Sequence, residues 1–180
     1  MNSLLAVDGL AVDLPISGGL RPVLHGVSFD IGAGEAVGLV GESGSGKSMT
    51  ARAVARLLPP GAVQHGSIRF DDRDVSLLKG LALRAYRCEI GMIFQDPRAH
   101  INPVRSIGDF MTEALRTNRN VTRAAAEAQA VKLLDEVGID DGRRRLRQHP
   151  HELSGGLLQR VMIATTLLTE PRLLLADEPT

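Results

Sequence analysis

Lys47 and Ser48 close an eight-residue stretch, Gly41-Glu42-Ser43-Gly44-Ser45-Gly46-Lys47-Ser48, whose residue types and spacing suit the holding of a polyphosphate. Its glycines let successive backbone N–H groups curl around an anion, and a helix starting there adds the positive end of its dipole. The Lys47 ammonium supplies a full charge for the β- and γ-phosphates, and the Ser48 hydroxyl can ligate Mg²⁺. Near the other end of the chain an apolar run, 172–176, leads into Asp177-Glu178. Asp177 could hold Mg²⁺ through water opposite Ser48, and Glu178 is placed to orient or deprotonate a water attacking the γ-phosphate. A third motif, Leu153-Ser154-Gly155-Gly156, precedes a helical pattern and again offers backbone donors to a phosphate. The competing reading of the first stretch is a glycine-rich turn with no ligand; the flanking strand and helix patterns argue against it.

Several elements must position these residues. Ala36 to Val40 reads as a buried strand entering the loop, and Met49 to Leu58 as a helix leaving it, stopped by Pro59-Pro60-Gly61. Upstream, Leu4 to Leu14 and Val23 to Ile31 alternate between apolar and polar residues, with Ser17-Gly18-Gly19 between them. They predict antiparallel strands joined by a turn. Gly66 to Phe70, Glu89 to Phe94 and Arg172 to Ala176 are further strand candidates, the middle one ending at Gln95-Asp96-Pro97. Ser106 to Val137 reads as helical, with Thr122 as an N-cap and Gly138 where a helix C-terminus favours glycine. Ala126, Ala130, Leu133, Leu134 and Val137 recur at helical spacing, as a core-facing stripe does. Leu157 to Leu168 is helical by pattern. Arg143-Arg144-Arg145 with Arg147 forms a basic cluster, read as a solvated loop in preference to a phosphate-binding patch. His149 and His151 flank Pro150, and two histidines alone make a weak case for a metal site.

The order GESGSGKS, FQDP, LSGG, LLLADEPT resembles the ATP-binding subunits of ABC transporters, over essentially the whole chain from Val7 to Thr180. The resemblance implies an α/β fold: a P-loop NTPase core, an N-terminal antiparallel β-subdomain and an inserted helical subdomain, roughly 96–160. On that basis 1–180 is a single, partial ATP-binding domain, incomplete at its C-terminus. It also implies ATP contacts at Gly41, Glu42, Ser43, Gly44, Ser45, Gly46, Lys47, Ser48 and Met49. Ser154, Gly155 and Gly156 would reach the ATP held by an opposite subunit. Mg²⁺ would be held by Ser48, Gln95 and Asp177, and hydrolysis would rest on Glu178, Gln95 and Lys47. The wording around the motifs, Phe94-Gln95-Asp96-Pro97 with Ile101-Asn102-Pro103-Val104 and Pro150 to Gly156, is similar to importers of dipeptides, oligopeptides and nickel.

Family members continue past Asp-Glu-Pro-Thr with a D-loop aspartate and a strand ending in a histidine; His65, His100, His149 and His151 all precede that place. The family's next strand lies between those of the phosphate loop and of Asp177. Without it the sheet should have a gap, and an isolated 180-residue chain should be unstable, aggregation-prone or bound to something that supplies the strand. Two details differ from the family: no aromatic residue precedes Phe29 to stack an adenine, and Leu158 stands where a basic residue is usual. Leu157 and Leu158 could pack inward or leave an apolar spot.

Bulk properties bound the rest. At 180 residues the chain can bury one sizeable core. Lys+Arg 21 against Asp+Glu 21 leaves no global pull toward nucleic acid or an anionic membrane. Cys88 is the single cysteine, so no internal disulfide forms, and no apolar run approaches the ~20 residues of a membrane span. Taken with these features, the resemblance implies a peripheral protein at the cytoplasmic face of the inner membrane. It would be held there through transmembrane permease subunits and a second ATP-binding subunit, without nucleic acid. The alternatives are a nucleotide-binding fragment that does not hydrolyse ATP, and a soluble ABC ATPase unconnected with transport.

Overall fold

The computed structural model describes residues 3–177, in two compact units, one ending at Tyr86 and the other starting at Arg87. In the first, β1 (Ser3–Ile16) and β2 (Gly19–Gly32) form an antiparallel hairpin. Its tight turn is made at Gly18, whose φ of 101° no side-chain-bearing residue adopts readily. β3 (Val63–Phe70) pairs with the other edge of β1. The short β4 (Arg73–Asp74) completes the order β2-β1-β3-β4.

Leu5, Val7, Leu10 and Val12 are all buried although the parity changes between Val7 and Leu10. A strand with period two can do this only through a bulge, and the register slips there against both neighbours. Gly66 makes the bulge possible. Its φ is 77°, and an added Cβ would stand 2.5 Å from the Asp8 carbonyl oxygen.

The phosphate-loop helix α1 spans Lys47–Val54 and stops short of the expected Leu58. Arg56 turns left-handed at φ 58°, and the bonds Arg56 N–H to Ala53 O (3.0 Å) and Leu57 N–H to Arg52 O (2.8 Å) close a Schellman motif. Backbone capping therefore ends α1 before the Pro-Pro-Gly sequence is reached. Helix α2 (Gly80–Glu89) is not foreseen by the sequence pattern, and Tyr86 is its buried residue. The Tyr86 ring meets Phe70 edge-on at 5.4 Å, and its hydroxyl donates to the Val54 carbonyl at the end of α1.

In the second unit β5 (Ile90–Ile93) and β6 (Leu173–Ala176) pair in parallel. Helix α6 (Gly155–Leu167) packs on β5, and α3 (Ile107–Asn118), α4 (Arg123–Glu136) and α5 (Gly142–Arg145) pack with α6 and one another. Their shared core holds Ile107, Met111, Leu115, Leu134, Leu158 and Val161, each no more than 2 % exposed. The helical stretch 106–137 is two helices, divided by left-handed Asn120 and by Thr122, whose side chain caps α4. At the far end of α4, Gly138 takes φ 73° and Ile139 N–H bonds Leu134 O at 2.8 Å, the glycine-closed terminus expected there. Leu158 packs into the core and Leu157 lies partly buried against it, so the pair leaves no apolar spot.

One expected strand does not form. Ala36 to Val40 is not a strand, and it is not buried: Val40 is 99 % exposed, with Val37 and Leu39 also open. The apolar run satisfies half of what a buried strand needs. The other half is a hydrogen-bonding neighbour, and none pairs with it among the described residues. β6 likewise has β5 as its one strand partner there, and its own Leu174 is 44 % exposed.

Candidate nucleotide-binding site

The phosphate loop adopts the conformation its glycines permit. Gly44 and Gly46 take φ of 82° and 97°. Gly46 is the N-cap of α1, and no side chain caps that terminus. The first-turn N–H groups of a helix have no intrahelical acceptor, so they are available to an anion where no side chain takes them. Space also demands glycine. A Cβ on Gly46 would overlap the buried Leu24 side chain of β2.

Thr50 fixes the loop from below. It is buried, and both its backbone N–H (2.8 Å) and its hydroxyl (3.0 Å) donate to the Gly46 carbonyl. Ser45 N–H bonds Glu42 O at 3.1 Å and tightens the turn. The Lys47 ammonium arches back across the loop, donating to the carbonyls of Gly41 (2.8 Å) and Glu42 (3.1 Å). Gly41 to Ser45 are exposed, whereas Lys47, Ser48 and Met49 are half-buried. The donor set fits a nucleoside triphosphate: backbone amides at a helix start, one ammonium, and a Ser48 hydroxyl for a divalent cation.

Gln95 and Asp177 both follow the carboxyl ends of paired strands in the second unit. Ile93 pairs with Ala176 at the carboxyl ends of the parallel strands, and Asp177 N–H bonds Ile93 O at 3.0 Å. Both side chains therefore follow the same end of adjacent strands, the usual place for ligand-handling groups on a parallel sheet. Glu178 lies outside the described residues.

The LSGG motif stands elsewhere. Ser154 caps α6, its hydroxyl accepting from Leu157 N–H at 3.4 Å, and neither Gly155 nor Gly156 has an atom within 4 Å of an added Cβ. At the opposite end of α6, Thr166 touches the Met92 carbonyl of β5 at 3.4 Å. Twelve residues of helix, about 18 Å, separate Thr166 from Ser154, so the motif does not join Gln95 and Asp177 in one cluster. The run-in to it is ordered by Glu152, which accepts from His149 N–H at 2.6 Å. That bond and the neighbouring histidines hold its carboxyl below the usual range. The His149 and His151 rings stack at 5.7 Å. Among the described residues no three His, Cys, Asp or Glu side chains gather as a metal site.

The family model described as ABC transporter matches residues 24–180. The chain belongs to the ABC transporter family. Among its relatives this ABC chain is 42 % identical to the dipeptide transport ATP-binding protein DppD of Bacillus subtilis, over 100 % of itself and 55 % of that protein. It is 44 % identical to the oligopeptide transport ATP-binding protein OppD of the same organism, over 100 % of itself and 51 % of the relative. The chain thus spans about half the length of the curated relatives it matches. A solved dimeric ATP-binding cassette, MJ0796 in a post-hydrolysis state with ADP and Pi, superposes with a TM-score of 0.84 at 26 % identity. That match covers 98 % of this chain and 74 % of the cassette. CbiO1 of Clostridium perfringens, part of the transporter complex cbiONQ, gives 0.75 at 27 % identity, covering 100 % and 67 %. The likeness establishes the P-loop α/β fold of the ABC cassettes.

Sequence reasoning located the loop and the two strand ends. It did not find Leu24 or Thr50, which hold the loop from outside its motif. Leu24 gives no local signal, being one more apolar residue of an alternating strand. Thr50, three residues beyond Lys47, could have been picked out as a hydroxyl able to bond the carbonyl four residues earlier.

Proposed function

We propose that this chain is the ATP-binding portion of an ABC importer subunit serving peptide uptake. The observation that carries the proposal is the uncapped, glycine-shaped start of α1 with Lys47 folded over it, in a chain whose relatives are named for dipeptide and oligopeptide transport. Residues Gly41 to Met49 hold the triphosphate of ATP, with Lys47 and the α1 amides opposing its charge. Ser48, Gln95 and Asp177 would hold Mg²⁺, and the bound ion would supply charge neutralisation for phosphoryl transfer. Glu178 orients the attacking water or takes its proton.

Residues from about 96 to 160 form the helical subdomain. The distance of LSGG from the β5–β6 edge favours its use on an ATP held by a second subunit, with Ser154 and the open Gly155 and Gly156 facing that phosphate tail. Two such subunits would close on two ATP molecules and reopen on hydrolysis, and the region after Gln95 would relay this to a transmembrane permease. No described helix is long and apolar enough to cross a membrane. Attachment to the cytoplasmic face of the inner membrane would therefore come through the permease.

The test is to co-express the full-length protein with candidate peptide-permease subunits, isolate the membrane complex and measure phosphate release. The proposal expects co-purification with the permease and magnesium-dependent hydrolysis abolished by Glu178→Gln. Co-purification with nucleic acid or ribosomes in place of a permease would overturn it.

A further inference from the structure

The basic cluster after α4 is not a loose loop. It folds as α5, and Gly142 lets that helix sit tightly on α4: a Cβ there would stand 3.2 Å from Val131 Cγ1. The exit from α5 is pinned to the start of α3, where Gly108 N–H bonds Leu146 O and Ile107 N–H bonds Gln148 O, both at 2.8 Å. Between these elements lies a groove of about 670 Å³. Ala124, Ala128 and Val131 line one side of it, at the i, i+4 and i+7 spacing of a single helical face. Its charged lining is three arginines, Arg123, Arg143 and Arg147, against one glutamate, Glu127.

The charges are not equivalent. Arg123 is taken, bonding Glu127 at 2.7 Å and lying 3.4 Å from Asp109. Arg143 and Arg147 have no ion-pair partner among the described residues, and both are exposed. The site therefore offers two unspent guanidinium forks beside an apolar floor, on a backbone already fixed by α4 and α3. Guanidinium matches carboxylate bidentately, and the apolar floor is wasted on a bare anion. No aromatic side chain lines the groove, so it lacks the stacking surface that nucleic-acid bases use.

We propose that this groove docks an acidic, amphipathic segment of a partner polypeptide, its carboxylates on Arg143 and Arg147 and an apolar side chain on Ala128 and Val131. The site is separate from the nucleotide loop, and its test is run without nucleotide. The probe is a fluorescent twelve-residue helical peptide with glutamates four residues apart flanking leucines, titrated into the intact protein by anisotropy. Saturable binding is expected, and a glutamine-for-glutamate peptide or the double variant Arg143→Glu/Arg147→Glu should bind about tenfold more weakly, as when two solvent-facing ion pairs are lost. Ala128→Trp, which fills the floor, should weaken binding as well. Arg144→Glu makes the charge change of one of these substitutions, beside Arg143 on α5 but outside the groove lining, and should leave binding intact.

Unchanged circular dichroism must accompany each variant, and Ala128→Trp tests the groove without touching a charge. The proposal is overturned if no saturable binding occurs, or if Arg144→Glu weakens it as much as the double variant. It is also overturned if pyrophosphate or an oligothymidylate binds with the same dependence on Arg143 and Arg147.

Discussion

Gly46→Ala separates two demands that the phosphate loop makes on one residue, backbone conformation and space. Gly46 has φ 97° and ψ 5°. An L-residue held left-handed costs about 1–2 kcal/mol. The new Cβ would also land on Leu24, which is only 2 % exposed and cannot swing into solvent. Forcing an extra methyl into packed surroundings adds about 1–3 kcal/mol. The free protein can relax by letting the loop move off β2, but the bound state cannot, because the α1 amides must meet the phosphates. Both penalties then appear in affinity, a loss of about 2–5 kcal/mol or roughly 30- to 5,000-fold. Gly44→Ala is the control: its φ is 82°, yet nothing lies within 4 Å of the added Cβ. It should lose about 5- to 30-fold, from conformation alone. Isothermal titration calorimetry with MgATP on both full-length variants measures the difference. Equal losses at the two positions would refute the packing argument, and no loss at either would refute the assignment of this loop to phosphate binding.

Other consequences follow from burial and hydrogen bonding. Tyr86→Phe leaves the Val54 carbonyl without the hydroxyl that now meets it, and should lower unfolding free energy by about 1–3 kcal/mol in urea titrations. Leu134→Ala, at a position with no exposure in the second unit's core, should cost about 2–5 kcal/mol by the same measurement. Asp74 accepts from both the hydroxyl and the N–H of Ser76, which hold its carboxyl below the ordinary value of 3.8. A lowered folded pKa contributes stability that is complete above the ordinary value and is lost as pH falls through the folded one. Stability measured downward from pH 5 should therefore fall less steeply in Asp74→Asn than in the parent, and identical acid limbs would contradict this.

What the sequence revealed was what is fixed locally. The loop glycines, the Thr122 cap and the Gly138 terminus each answer to a few neighbouring residues, and all appear where expected. The parallel pairing of β5 with β6 sets Gln95 and Asp177, 82 residues apart in the chain, at the same end of adjacent strands, and only the motif order hinted at it. Helix α2 was missed because it is short, buries one residue, Tyr86, and leaves Leu81 83 % exposed. Ala36 to Val40 was misread for the opposite reason. Its composition is that of a buried strand, but a strand's burial is decided by neighbours that the local pattern cannot supply. The arginines of α5 looked like solvated loop because their register on the groove depends on Gly142 meeting Val131.

The central claim is that the amides of α1 and the Lys47 ammonium grip a nucleotide's polyphosphate. Calorimetric titration of the full-length protein with ATP, with and without magnesium, tests it most directly beside Lys47→Ala. Magnesium-dependent, saturable heat that disappears in the variant is the predicted result. Absence of magnesium-dependent binding in the parent, or undiminished binding in Lys47→Ala with its fold intact, would contradict the account.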